Sequence, residues 1–437
     1  MDNMRMFYRI WAGQTLSALG SSVQAFALGI WVYQSTGAIM DFGLALLCSL
    51  LPQVVLGPFA GVFVDRWPRR RIMMLCDAGA ALSALILLVL SERAQLQVHH
   101  VYVISFATAI LACFHKLAYS AIVTPLLPDA KQRARANGLI QFGLAAAAVV
   151  GPLLAGLLLG WVGLSGVIAV DAITFVIALL SLIPLRFPDL IPTANEQKTF
   201  WGDFRQGIAF IRGRSDLRVL LLVVAICNFS VGFMQTLFTP MVLTVSTHAT
   251  LGFLVSLGGV GMLVGGAAAS LWPMPGRAIA AVWMGLLLCA ACLTLGGLRA
   301  NIVLWGAVTF LFFVAIPVIN VRLQDIWQHQ VAASLQGRVF AVRYMIATAS
   351  MPFAYLLAPW LATHCFEPWL LPDGALASTA GLVFGTGVGR GMGMMFSMMG
   401  ALLFTLAVSL AMNRKLKHLD AQALREADAP LGNSTPA

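Results

Sequence analysis

Three ionisable side chains lie inside long, mostly apolar stretches of this chain, and they are well placed to do chemistry. Asp77 and Asp171 carry carboxyl groups that bind and release a proton, and the imidazole of His115 does the same near neutral pH. An ionisable group in an apolar segment is costly, so each is by default a candidate for function. Two interpretations stay open: these groups carry a proton during a working cycle, or they are structural partners of other polar groups.

Further polar side chains in the same stretches are candidates for lining a cavity that binds a small molecule. Polar groups in an apolar segment are expected to face one another or a water-filled path. The candidates are Gln24, Lys116, Asn228, Gln235 and Asn320. For Lys116 two roles remain open, because its charge could meet an anionic substrate or neutralise a buried acid such as Asp77.

The overall composition indicates that a lipid bilayer surrounds these residues. Of the 437 residues, 60% are hydrophobic and only 10% are charged, whereas soluble proteins have about 45–50% and about 25%. No single soluble core could bury so much apolar surface. The net charge is +10, but no basic–aromatic motif accompanies it, so we expect no nucleic-acid partner.

Segments long enough to cross the bilayer recur along the chain. A spanning helix needs about twenty mostly apolar residues, and helices satisfy their own backbone hydrogen bonds in lipid. Twelve such segments are predicted, which makes the chain an all-α membrane protein. They are residues 8–34, 41–64, 72–91, 99–126, 137–161, 165–185, 217–246, 249–272, 278–298, 302–327, 337–363 and 391–412.

The order of the spans predicts two pseudo-symmetric bundles of six helices. We expect an N-terminal bundle at 1–186, a linker at 187–216, a C-terminal bundle at 217–412 and a tail at 413–437. Trp67–Pro68 and Trp272–Pro273 follow the second and eighth spans, 205 positions apart, which favours an internal duplication. Within the linker, apolar side chains recur at helical spacing over 201–211, which predicts an amphipathic helix on the cytoplasmic interface.

The distribution of positive charge predicts the orientation in the membrane. Arginine and lysine cluster before the first span and after alternate spans, as in RWPRRR at 66–71. Cytoplasmic loops carry such an excess. We therefore expect a multi-pass protein of a cell membrane, with both termini and the linker in the cytoplasm. On the opposite side, the long glycine-rich segment 364–390 is either re-entrant or interfacial.

No pattern in the chain indicates enzymatic chemistry. A His–Glu metal motif, a phosphate-binding glycine loop and a nucleophile elbow are all missing from the sequence. Cys289 and Cys292 have the spacing of a redox or metal pair, but they lie in an apolar span without a nearby His or acid, so we interpret them as packing residues. We therefore expect that the protein is not an enzyme and binds neither a metal nor a cofactor. We expect its energy source to be an ion gradient, specifically of protons.

The stretch GVFVDRWPRRR at 61–71 resembles the motif between spans two and three of the major facilitator superfamily. The matching residues of this gating motif are Gly61, Asp65, Arg66, Arg69 and Arg70, with Gly337 and Arg338 where span eleven opens. The resemblance implies that Asp65 faces the N-terminus of span eleven, whose free N–H groups carry partial positive charge. That contact would close the cytoplasmic side. In the alternative interpretation, the acid is solvated and the arginines only fix the topology.

The stretch VVGPLLAGLLLG at 149–160 resembles the span-five motif of bacterial exporters of drugs, siderophores and macrolides in that superfamily. Gly151, Pro152 and Gly156 match the motif, and Ala155 departs from it. Small residues let helices approach closely. The motif is therefore expected either to seal a central cavity on the inner side or to provide ordinary close packing.

The resemblance covers almost the whole chain and implies a secondary transporter of the bacterial inner membrane. Such a protein would export a small amphipathic molecule, for example a drug or a siderophore, by proton antiport with alternating access, and would act as a monomer. Two alternatives remain: an importer that uses proton symport, and a non-transporting membrane sensor or assembly partner.

Overall fold

A computed structural model describes residues 3–127, 129–183, 200–271 and 278–413. Inside these ranges, the surroundings of Gly61, Asp65 and Arg66 are not described. The first part of the predicted linker, the Trp272–Pro273 pair and the tail from residue 414 onward also lie outside the described residues.

Every regular element in the described part of the chain is helical, as the apolar segments predict. The helices are α1 Asn3–Thr36, α2 Ile39–Arg66, α3 Arg69–Glu92, α4 Val98–Leu126, α5 Ala130–Leu182, α6 Phe200–Gly213, α7 Ser215–Leu243, α8 His248–Leu271, α9 Ala278–Leu298, α10 Ile302–Gln330, α11 Ala333–Leu361, α12 Glu367–Leu370, α13 Gly381–Phe384 and α14 Arg390–Met412, with a π-helical turn at Ala362–Phe366. Eleven of those in the described ranges are long and apolar enough to cross a membrane.

The longest element, α5, contains two of the predicted spans. Its 53 residues would make a straight helix about 80 Å long, far more than the roughly 30 Å of a hydrocarbon core. The helical path breaks at Gly163, whose φ of 66° and ψ of −173° reverse the chain and favour glycine. The predicted spans 137–161 and 165–185 meet at this residue, so the eleven helices confirm the predicted all-α membrane fold.

The contacts divide the chain into two compact units. Unit 1 comprises Met1–Gln197, Val231–Gly259 and Thr348–Met392, and unit 2 comprises Lys198–Ser230, Val260–Ala347 and Gly393–Ala437. Both units include parts of α7, α8 and α11. This division describes contacts and not chain halves, so the predicted domain boundaries remain a prediction.

Unit 1 is built on the packing of α1 against both arms of α5. A Cβ added at Gly20 would lie 2.2 Å from Oγ1 of Thr174, and one added at Gly151 would lie 2.2 Å from Oγ of Ser22. Such short separations have no room for a larger side chain, so small residues set the distance between these helices. Nearer the start of α1, Phe7 is fully buried in a cluster with side chains of α3, α4 and α5.

Unit 2 places α10 against both α8 and α9. Trp305 Nε1 donates to the carbonyl oxygen of Gly296 at 2.9 Å and joins α10 to the end of α9. A Cβ added at Gly265 would lie 2.2 Å from the carbonyl oxygen of Val314, so α8 and α10 touch backbone to backbone. α6 also belongs to this unit, and its side chains Arg205 and Arg212 are exposed whereas Ile211 is buried. The predicted amphipathic character of the linker helix is therefore present.

The segment after α11, whose conformation the sequence left open, is ordered around one carboxylate. Glu367 Oε2 accepts from the backbone N–H of Gly389 at 2.8 Å, and Oε1 accepts from that of Met392, also at 2.8 Å. The carboxylate thereby satisfies free N–H groups at the start of α14. Between them, the segment forms turns and the short helix α13, with positive φ at Gly385, Gly387 and Gly389.

Candidate functional site

Three helices of unit 1 bring together a buried acid, an amide and an imidazole. Asp77 on α3 is 2% exposed. Gln14 on α1 donates from Nε2 to Asp77 Oδ2 at 2.9 Å, and His115 Nε2 on α4 lies 3.2 Å from Asp77 Oδ1. The His115 contact is close enough for an ion pair, although its alignment is not that of a hydrogen bond. We call these three residues the Asp77 cluster.

The Asp77 cluster can hold a proton inside an apolar environment. Met73 and Cys76 on the same helix and Ala118 on α4 are buried around it. In such surroundings a charged group is tolerated when a partner of opposite charge or a hydrogen-bond donor faces it. The sequence identified Asp77 and His115 separately as candidates, and the structure brings them together. Gln14 is conspicuous in the sequence as an amide within an apolar span, but its pairing with Asp77 was not predicted.

Asp171, the third predicted proton-coupling candidate, lies in a separate place. It is 1% exposed in the second arm of α5, where Ser21 Oγ donates to its Oδ1 at 3.2 Å. Thr174 Oγ1 lies 3.5 Å from the same oxygen and donates to the Asp171 carbonyl at 2.8 Å. The ion pairs found among the described residues do not include Asp171. Its environment is therefore polar and uncharged, unlike that of Asp77.

Two arginines of the gating motif bind the backbone of neighbouring helices. Arg69 Nη1 donates to the carbonyl of Ala121 at 2.9 Å, near the end of α4. Arg70 donates from Nε to the carbonyl of Leu182 at 3.1 Å and from Nη2 to that of Ile183 at 2.5 Å, where α5 ends. Cations are favourable at helix C-termini, because the last carbonyl groups are unpaired and carry partial negative charge. Both arginines therefore tie the start of α3 to α4 and α5.

The opposite part of the gating motif contacts the linker helix. Arg338 on α11 donates from Nη1 to Gln206 Oε1 on α6 at 2.7 Å. A Cβ added at Gly207 would lie 2.8 Å from the Arg338 carbonyl oxygen, so α6 packs closely on the start of α11. Gly337 is exposed. Because the surroundings of Asp65 lie outside the description, the closing contact between Asp65 and span eleven remains a prediction.

The exporter motif of α5 forms a close crossing with α8. A Cβ added at Gly156 would lie 2.6 Å from the carbonyl oxygen of His248, and one added at Gly252 would lie 2.4 Å from that of Pro152. Gly151 packs on α1 as described above. The crossing is therefore a place where two backbones touch, which only small residues allow.

This crossing lies at the end of unit 1 where α5 turns at Gly163 and α8 begins at His248. The arginine-rich turn between α2 and α3 lies at the other end, because Arg70 contacts the last residues of α5. The motif therefore meets α8 at the end of unit 1 away from this turn, and its expected role in sealing a central cavity on the inner side remains a prediction. The sequence contains the small residues, but the helix that they approach determines which end they close.

The predicted cavity residues have different surroundings. Gln235 on α7 is exposed and accepts from the hydroxyl of Tyr355 on α11 at 2.5 Å, and Asn228 Nδ2 donates to the Ala347 carbonyl at 3.2 Å. Gln24 is buried, and its Oε1 has no hydrogen-bond donor among the described residues.

The side chains of Lys116 and Asn320 are both exposed. Asp77 pairs with His115, and no ion pair of the described residues joins Asp77 to Lys116. The structure thus does not support Lys116 as the counter-charge of Asp77. Tyr355, which holds the amide of Gln235, is a polar residue of the spans that sequence reasoning missed.

Comparison with known proteins gives one family and several named relatives. The model of the Major Facilitator Superfamily matches residues 10–355 of the chain. Macrolide efflux protein A of Streptococcus pyogenes is 27% identical over 384 residues, which cover 85% of this chain and 93% of that protein. The multidrug efflux pump Tap of Mycolicibacterium fortuitum is 26% identical over 357 residues, covering 78% of this chain and 86% of that protein.

Solved structures share the fold at much lower sequence identity. The POT family transporter PepTSo superposes with a TM-score of 0.70 at 11% identity, covering 97% of this chain and 99% of that chain. A bacterial homologue of the human lysosomal transporter Spinster gives a TM-score of 0.65 at 14% identity, covering 97% and 98%. At these identities the similarity concerns the fold alone.

Proposed function

The chain belongs to the Major Facilitator Superfamily, and from this premise we propose that it exports a small amphipathic molecule in exchange for protons. It is a multi-pass membrane transporter and not an enzyme. The exchange of protons, the direction of transport and the class of substrate are the parts that we propose. We place the protein in the bacterial inner membrane as a monomer, with both termini in the cytoplasm and no cofactor.

The observation that carries proton coupling is the contact between Asp77 and His115. Two titratable groups from different helices lie 3.2 Å apart in an apolar site, and Gln14 from a third helix holds the carboxylate. Their net charge changes by one when the pair gains or loses a proton. Because an unbalanced charge in a buried site is costly, the two protonation states favour different exposures of the site to water.

This difference can couple proton movement to a conformational change. A ligand, here a proton, shifts an equilibrium between two conformations by the difference between its binding free energies to them. The pair joins α3 to α4, and Gln14 joins both to α1, so a change at Asp77 reaches three helices of unit 1. Asp171 is the second candidate for the proton carrier. Its neighbours are neutral hydroxyl groups, so protonation there would break no ion pair.

Two observations support export. The relatives reported above are named as efflux proteins. In the α5 motif, Pro152 and Gly156 form the close crossing with α8, and Gly151 packs on α1. A central pathway for the substrate would need polar groups on accessible faces of the spans, since such groups are costly in lipid. Gln235 and Asn320 have this placement within their own helices.

Everted membrane vesicles provide a direct test of coupling and direction. N-phenyl-1-naphthylamine serves as a neutral amphipathic probe, and ATP hydrolysis by the native membranes acidifies the vesicle lumen. We expect uptake of the probe into the lumen, and loss of that uptake when a protonophore collapses the gradient. Gradient-driven release from preloaded vesicles would identify an importer instead and overturn the proposal.

A further inference from the structure

We propose that Arg343, Gln324 and Trp327 in unit 2 form a subsite for an anionic group of the transported molecule. The inference rests on the proposed function, because it names a chemical feature of the substrate that an exporter of amphipathic molecules would bind. We call these three residues the Arg343 subsite. It lies between α10 and α11.

The geometry places a guanidinium group beside an aromatic face and an amide oxygen. Arg343 Nη1 donates to Gln324 Oε1 at 2.7 Å, and the guanidinium carbon lies 5.2 Å from the centre of the Trp327 ring. Arg343 is half-buried. Guanidinium has five N–H donors in a planar fork, so several donors remain for a ligand after the bond to Gln324.

The missing partner at this place is a carboxylate. Among the described residues, no ion pair within 4.0 Å involves Arg343. The acid that follows Gln324 on α10, Asp325, pairs with His329 at 3.4 Å. An arginine within a membrane span is expensive unless it is paired, and it marks a functional site by default.

Arg214 provides an internal comparison, because its surroundings resemble those of Arg343 with an acid added. Its guanidinium carbon lies 5.9 Å from the ring centre of Phe210, and it donates to the carbonyl of Gln330 at 2.9 Å. In addition, it binds Asp216 Oδ2 at 3.0 Å. Arg343 has the ring and the glutamine, and a bound anion would take the place that Asp216 occupies beside Arg214.

A second, independent observation is the indole N–H of Trp327. The side chain is 0% exposed, and Nε1 has no acceptor in the part of the chain that the structure describes. A buried donor without an acceptor is costly, so such groups call for a ligand or other explanation. Trp327 thus offers one unused donor, and Arg343 offers those not bonded to Gln324, a combination that suits a group composed of acceptors.

The position and composition of the subsite indicate an amphipathic anion. Arg343 lies about 15 Å along α11 from Ala333, which is within the apolar part of the helix. Val339 and Val342 on α11 and Leu323 on α10 are buried beside it. A sulfonate, carboxylate or phosphate would meet the donors, and an apolar body attached to that group would suit the apolar surroundings of the span.

Two probes that differ only in an anionic group can test the inference. The compounds are 1-anilinonaphthalene-8-sulfonate and N-phenyl-1-naphthylamine, which is the same molecule without the sulfonate. Their dissociation constants are measured by titration into lipid nanodiscs that contain the full chain, with empty nanodiscs subtracted. The quantity of interest is the ratio of the two constants, which cancels unspecific partitioning and general effects on folding.

Substitution of Arg343 should change this ratio selectively. We expect Arg343→Gln to weaken sulfonate binding about tenfold, as for loss of a charged hydrogen bond, with the neutral probe changed less than about twofold. Trp327→Phe keeps an aromatic face but removes the indole N–H, and it should weaken binding of the sulfonate alone, about threefold. Arg343→Lys keeps the positive charge but not the planar guanidinium group. Its affinity for the sulfonate should lie between those of wild type and Arg343→Gln. The matched control is Arg214→Gln, which should leave the ratio unchanged.

The inference is overturned if Arg343→Gln keeps the wild-type ratio, or if it weakens both probes equally and so shows a purely structural role. The titration needs no gradient. If neither probe is transported but the ratio still depends on Arg343, the proposed export fails while the anion subsite stands.

Discussion

Asp77 on α3 and His115 on α4 meet with Oδ1 and Nε2 3.2 Å apart, inside a cluster of buried apolar side chains. The two residues belong to different spans. Asp77 has no other charged residue in its apolar stretch, and His115 has only Lys116. Their contact gives each a partner. It also predicts that the two residues act as one unit in proton exchange.

Replacing either residue of this pair should uncouple transport from the proton gradient. Asp77→Asn keeps the size of the side chain but cannot change its charge, and His115→Gln removes the imidazole. We expect each to lower gradient-driven uptake of N-phenyl-1-naphthylamine at least about tenfold, with binding of the probe retained. The double variant should be no worse than the single ones, because residues in direct contact are not additive. Additive losses would show that the two groups act independently.

Asp171→Asn tests the second carboxylate in the same assay. Sequence reasoning and the buried position of Asp171 both predict weaker proton coupling, measured as release of protons when the probe is added to energised vesicles. The control is Thr174→Val, which removes a neighbouring hydroxyl but no titratable group. If Asp171→Asn leaves the proton movement unchanged, Asp171 is a structural residue and the Asp77 cluster is the remaining carrier.

Adding one methyl group to the α5–α8 crossing should damage it. In Gly156→Ala the new Cβ would lie 2.6 Å from the His248 carbonyl oxygen, so one of the backbones must move. We expect a loss of stability of about 1–3 kcal/mol, typical of overpacking, and reduced transport. Gly160→Ala is the matched control, since no described atom lies within 4 Å of a Cβ at that position. Equal thermal stability and uptake of the two variants would contradict the importance of the crossing.

Asp65→Asn tests the gate that the resemblance implies. A carboxylate at a helix N-terminus contributes about 0.3–2 kcal/mol, enough to bias two conformations, and the amide would lose most of it. We expect lower transport with normal insertion into the membrane, measured by probe uptake and by the amount of protein in the membrane fraction. Full uptake by a correctly inserted Asp65→Asn variant argues for a solvated acid.

The all-α membrane fold could be predicted from the sequence because the bilayer imposes a simple rule. Each crossing needs about twenty apolar residues, and this rule locates the spans without knowledge of their neighbours. It also placed a boundary between the spans 137–161 and 165–185, and the structure shows that the chain turns there at Gly163. The same rule made Asp77, His115 and Asp171 conspicuous, since charges are rare in such segments.

What the sequence alone determined is therefore which segments enter the membrane and which residues are out of place there. The tertiary structure decided their partners, because one residue along a helix turns a side chain by about 100°. Because of that rotation, His115 pairs with Asp77 and the next residue, Lys116, does not. Likewise, Arg69 and Arg70 were recognised as a basic cluster, but only the return of α5 toward α3 supplies the carbonyl groups that bind Arg70. The side on which Gly156 acts was also undetermined, since a small residue specifies close approach but not the helix that approaches.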